Sequence, residues 1–129
     1  MYRHSLVLLS VAAAAAAVQT GTSYLVYPQP GDEVPEHQIL WAVHFEVTQT
    51  NDGTVDAKLQ TSWDGTTWHD VVGGAMTQRT AAGLTSETKQ IANPLGPYNR
   101  VVGTPAGGAS ISGSARLAAN GGFRSTAQA

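Results

Sequence analysis

Ile39-Leu40-Trp41-Ala42-Val43-His44-Phe45-Glu46-Val47-Thr48 decides the fold class. Ile39, Trp41, Val43, Phe45 and Val47 occupy every second position, and Leu40, Ala42, His44 and Glu46 fill the alternates. Successive side chains of a strand point to opposite faces, so this stretch reads as a half-buried strand with an aromatic-rich core side. Asn51-Asp52-Gly53 follows as a turn, and Val55 to Trp63 alternates again, with Val55, Ala57, Leu59, Thr61 and Trp63 opposed to Asp56, Lys58, Gln60 and Ser62. The two runs around Asn51–Gly53 are expected to pair as a hairpin.

The same signals recur along the chain. Asp64-Gly65 predicts a second, tight hairpin turn leading into a strand over Thr66–Val72, because Gly tolerates the positive φ that such turns demand. Gly73-Gly74 is expected to end that strand. Thr77–Thr88 is polar and weakly patterned, a loop or irregular edge strand, with brief pairing over Thr88–Ala92 before the breaker Asn93-Pro94-Leu95-Gly96-Pro97. Tyr98–Val102 and Ala109–Ala118 read as strands, the second with Ile111, Gly113, Ala115 and Leu117 inward. Upstream, Ser5–Val11 reads as a buried strand, Ser23–Tyr27 as a short β-prone piece and Pro28–Pro35 as a loop. Short strands with turn signals at roughly ten-residue spacing predict an all-β chain. The expected fold is an antiparallel β-sandwich, jelly-roll or Ig-like, of about seven to eight strands. One domain is expected over 1–129, with residues 1–20 as an apolar N-terminal strand or arm and 124–129 as a polar tail.

Composition narrows the function classes. Only 12% of the 129 residues are charged, about half the usual share. Small neutral side chains therefore dominate the surface, which suits packing against other protein. The net charge is −2 and the seven basic residues are scattered, so no basic stripe exists to neutralise phosphates, and no nucleic-acid partner is expected. The absence of cysteine removes disulfides, thiolate metal sites and cysteine nucleophiles. The basic Met1–His4, the apolar Ser5–Val18 and the Ala12–Ala17 run have the outline of a secretory leader. The stretch is short and alanine-diluted for a membrane span, and we expect an uncleaved structural arm with no membrane partner.

No catalytic constellation stands out. His69-Asp70 is the one adjacent acid–base pair, and it falls in a strand beside Trp68 rather than among further ligands. Asp52, Asp56, Asp64 and Asp70 match no calcium loop, no Gly-x-Ser-x-Gly occurs, and the Gly-Gly pairs precede no helix. We expect no catalytic residues, no metal and no cofactor. Trp41 and Trp63 fall on the apolar faces of their runs, leaving Trp68 as the ring expected at the surface. It is the residue on which a carbohydrate platform would rest.

The segment Leu59-Gln60-Thr61-Ser62-Trp63-Asp64-Gly65-Thr66-Thr67-Trp68-His69-Asp70-Val71-Val72 resembles a hairpin of small β-sandwich virion proteins of tailed bacteriophages. Leu95–Val102 is similar to their next strand, Arg116–Phe123 to their closing strand, and the Leu- and Ala-rich opening to their N-terminal segment. The resemblance implies a non-enzymatic capsid cement or decoration protein at the capsid surface, assembled in the host cytoplasm. Its implied partners are the major capsid protein and further copies of itself. A neck or tail connector subunit is the alternative within the virion, and a secreted carbohydrate-binding or adhesive module the alternative outside it. Leu6, Leu8, Leu9 and Val11 of the arm, with Trp68, are the expected contact residues, since an unpaired edge can extend a neighbour's sheet.

Overall fold

The computed structural model describes residues 4–28, 39–92 and 94–128. They form two antiparallel sheets. One has four strands in the order β1 (His4–Ala15), β9 (Ser110–Ala119), β4 (Trp41–Thr50), β7 (Gly83–Ile91). The other runs β10 (Phe123–Ala127), β3 (Tyr24–Pro28), β8 (Tyr98–Ala106), β5 (Thr54–Ser62), β6 (His69–Ala75), and the two-residue β2 (Gln19–Thr20) also pairs with β8. The all-β sandwich expected from the alternation is what forms, with ten strands among the described residues.

Strands β4, β5 and β9 contribute the face their sequence marked, and β8 adds the face of Val101, opposite Tyr98, Arg100 and Val102. Val43, Phe45 and Val47 of β4, Val55, Ala57 and Leu59 of β5, Val101 of β8, and Ile111, Ala115 and Leu117 of β9 are all buried in one core. A strand with one apolar face gains little until a second apolar face covers it, and the two sheets supply that cover for each other.

The expected β4–β5 hairpin does not form. β4 pairs with β7 and β9, whereas β5 pairs with β6 and β8. Asn51–Gly53 is therefore an arch that carries the chain from one sheet to the other. Asn51 adopts a left-handed φ of 69°, which an Asn tolerates better than most side chains. The buried Gln49 amide closes the arch from inside, donating to the carbonyls of Asn51 (3.0 Å) and Gly53 (2.9 Å).

Three further differences follow from edge positions. The polar 77–88 region is half strand: β7 pairs with β4 from Trp41↔Ile91 to Gln49↔Gly83. The 124–129 tail is mostly β10, held on β3 from Phe123↔Pro28 to Ala127↔Tyr24, with Phe123 resting 5.2 Å from the Trp41 ring. Gly73-Gly74 lies inside β6, which continues to Ala75 through an irregularity in its pairing with β5.

The N-terminal segment is a structural strand rather than an arm. β1 pairs with β9 over nearly its whole length, with register shifts between Val7 and Leu9 and between Val11 and Ala15. The first shift turns both Leu8 and Leu9 into the core, where they are 1% and 4% exposed. Removing residues 1–18 would therefore strip a strand from the sandwich instead of sparing it.

Candidate functional site

The hairpin that joins β5 to β6 is built around two polar side chains. Asp64 Oδ1 accepts the backbone N–H groups of Thr66 (2.9 Å) and Thr67 (2.8 Å) and the Ser62 hydroxyl (3.0 Å). The Ser62 hydroxyl in turn accepts the N–H of Gly65 at 2.9 Å. These are the bonds an Asp offers a turn in place of a sheet ladder. Thr67 first, then Thr66 and Ser62, hold the Asp64 carboxyl well below the usual carboxylate range. The connection is wider than a two-residue turn, since Thr61 already faces His69.

The far side of the loop is tied to the C-terminal segment. Gln128 Nε2 donates to the Gly65 carbonyl at 3.0 Å, while Gln128 Oε1 accepts the Ser23 hydroxyl at 2.6 Å. Gly65 has φ 81°, and a Cβ there would meet Gln128 Nε2. Gly65→Val is expected to destabilise the fold by about 1 kcal/mol or more through this positive φ. An unchanged melting temperature would contradict it.

The tryptophans are placed differently from expectation. Trp63 is 71% exposed, not inward. The alternation stops at Ser62, whose fully buried side chain is committed to the loop, and the next residue swings out. Trp68 is half-buried, with the Arg100 guanidinium 4.2 Å over its ring. Arg100 Nε donates to Gln60 Oε1 (2.9 Å), Gln60 Nε2 donates to Asp70 Oδ1 (2.9 Å), and Lys58 Nζ reaches Asp70 Oδ2 (3.0 Å). Burial lowers the Arg100 pKa, and the Gln60 and Lys58 bonds lower that of Asp70. Asp70 of the His69-Asp70 pair is thus bound into a surface network, and Trp68 has one ring face already occupied.

Among the residues expected to make contacts, Leu8 and Leu9 belong to the core, and Leu6 and Val11 pack against it half-buried. Their side chains serve the sandwich. Away from Leu8, whose carbonyl Gly21 approaches, β1 leaves its backbone edge open, because β9 pairs on one side and no strand pairs on the other among the described residues. A cleft of about 290 Å³ borders this edge, between Val7–Ser10 and the segment Gln19–Thr22 with Tyr24.

A second polar network lies on the outer face of the four-stranded sheet. His44 Nδ1 lies 2.6 Å from Thr88 Oγ1 and its Nε2 2.8 Å from Glu46 Oε1, which also accepts the Ser86 hydroxyl at 2.6 Å. Ser86 and then His44 lower the Glu46 pKa. The described residues bring together no group of three or more potential His, Cys, Asp or Glu metal ligands, and no helix among them is long and apolar enough to cross a membrane.

Asp64, Asp70 and Glu46 all have depressed pKa values in the folded state. The unfolded chain therefore binds protons more readily, and stability falls as pH drops below about 4. Melting temperature should hold from pH 7 to 5 and decline below 4, and Asp64→Asn should flatten part of that decline. An acid limb identical in Asp64→Asn would contradict the assignment.

No protein-family model matches the chain, and no curated protein matches it. Among solved structures the chain is similar to the N-terminal cellulose-binding domain of Cellulomonas fimi β-1,4-glucanase C. Identity is 16% over 97% of this chain and 79% of that one, with a TM-score of 0.31. The likeness is loose.

Proposed function

We propose that this chain is a non-enzymatic virion structural protein of a tailed bacteriophage, a capsid cement that binds the major capsid protein lattice. One observation carries the reading beyond the resemblance of the Leu59–Val72 hairpin. The outer edge of β1 is long and uncharged: no Asp, Glu, Lys or Arg occurs from His4 to Gly31, and the strand runs out through exposed Ala12–Ala14. Proteins that stay monomeric blunt their edges with charge, bulges or cover. The other edges here carry charge, with Glu87 and Lys89 on β7, Asp70 on β6 and Arg124 on β10, whereas β1 has two register shifts and the Gly21 segment against Leu8 but no charge. An edge of this kind is suited to being covered in an assembly, by a strand of a capsid subunit or of another copy.

The test is to mix the purified full chain with capsid shells lacking it and to image the particles. Cement predicts density across the lattice; density confined to one vertex would instead mean a connector. Binding through backbone and apolar contacts should change little with added salt. Ala13→Lys with Ala14→Lys, both at exposed positions, should weaken attachment by about tenfold or more while leaving the melting temperature near wild type. Shells that take up none of the intact protein would end the cement reading. A secreted carbohydrate-binding module is the second reading, and the display of Trp63 is the observation that favours it.

A further inference from the structure

We infer that Trp63 is the platform of a glycan site, at which its indole stacks on the apolar face of an equatorially substituted pyranose. The site rests on the second, carbohydrate-binding reading and not on the capsid one, since the isolated chain would carry it. The first support is exposure. At 71%, Trp63 leaves most of a large apolar ring in water, while the loop around it is otherwise satisfied. Such exposure is costly, and a rigid aromatic with few rotatable bonds recovers it by stacking.

The second support is the fixing of the loop before any ligand arrives. Asp64 and Ser62 hold it from within, and Gln128 ties its Gly65 carbonyl to Ser23. On its other flank, Thr61 Oγ1 accepts the N–H of Gly96 at 2.7 Å, which places the segment before β8 beside it. A ring on such a loop loses little freedom on binding, which is where affinity for a small polar ligand is usually lost.

The third support is the chemistry of the other side chains on the same loop. Thr66 and Thr67 expose hydroxyl-bearing side chains, and Asp64 stays ionised beside them. A pyranose with equatorial hydroxyls presents polarised axial C–H bonds on its face and hydroxyls at its rim. The ring would meet the first, and the Thr and Asp side chains the second. The loop from Ser62 to Trp68 contains no Lys or Arg, and the one cation at its end, Arg100, is engaged by the Trp68 ring and by Gln60, which disfavours a nucleic acid strand. A protein partner's pocket would want apolar neighbours around the tryptophan, and Asp64, Thr66 and Thr67 are polar.

Purified full chain should be titrated with cellohexaose, chitohexaose and maltohexaose, reading tryptophan fluorescence and heat. Saturable binding of one or more with Kd below about 1 mM is expected, with a shift in emission as the indole leaves water. Trp63→Ala should weaken it by about tenfold or more, Trp63→Tyr should restore part of it, and Trp68→Phe should change it little. Melting temperature serves as the control that each variant is folded. No saturable binding to any of the three sugars overturns the proposal, as does wild-type affinity in Trp63→Ala. Loss of shell attachment in Trp63→Ala, with no sugar bound, would assign the ring to a protein contact and also overturn it.

Discussion

Phe45→Ala is expected to lower the unfolding free energy by about 4 kcal/mol, within the range for deleting a buried aromatic. Phe45 is fully buried on β4, the third strand of its sheet, where it faces Ala115 of β9 on one side and Glu87 of β7 on the other. Neither neighbour can fill the space. Ala115 has only a methyl group to offer, and Glu87 is held by the backbone and hydroxyl of Thr77 at 2.8 and 2.9 Å. The cavity would therefore stay open, and the cost should lie near the upper part of that range. In a domain of this size the melting temperature should fall by roughly 10–20 °C. A loss below about 1 kcal/mol would mean that the facing sheet collapses into the gap, contrary to the close packing of these strands.

The sequence made the fold class legible wherever burial and periodicity coincide. Val43, Phe45 and Val47, or Ile111, Ala115 and Leu117, alternate because one face meets the other sheet. Alternation reports which side is covered, not which strand lies alongside. That is why β4 and β5, each with one apolar face, read as a hairpin although they face one another across the core. β7 and β10 were harder to see for a related reason. Thr85, Glu87 and Lys89 sit half-buried on the side of β7 that faces the core, and Ser125 and Ala127 of β10 are small or polar. Edge strands of this kind are held mainly by their ladders, which leave no hydropathic trace.

The candidate site was half legible. Ser62-x-Asp64-Gly65 marks the loop, but strict alternation puts the ring at its tip on the wrong side. The strand that begins the alternation at Val55 ends at Ser62, one residue before the ring. Ser62 and Asp64 held the needed signal: their side chains compete with the ladder for backbone N–H groups, so the strand ends before Trp63. Leu8-Leu9 held a similar one. Two adjacent apolar residues that both enter a core require a register shift, and β1 has one between Val7 and Leu9.

Gly113→Ala should be among the most damaging single-methyl additions, costing about 3 kcal/mol. Gly113 lies mid-strand in β9, paired with Val47 of β4 and Val11 of β1. Its φ is 112°, a conformation that a side chain adopts only under strain. The added Cβ would also run into the carbonyl of Glu46 in the neighbouring strand. Relief through φ would move the backbone of β9 out of register with β4, and relief through separation would break the ladder at the centre of the sheet. Neither is cheap, because β9 is held between β1 and β4. The damage should reach the open edge as well, since β9 is the strand with which β1 pairs, and Val11 is its last partner before the second register shift. Hydrogen exchange would separate the two consequences. Amides of β1 from Val11 onward should lose protection in Gly113→Ala under conditions where those of β5 and β8 remain protected. Uniform protection across both sheets at wild-type stability would show that β9 accommodates the methyl group, and would remove the strain assigned to this residue.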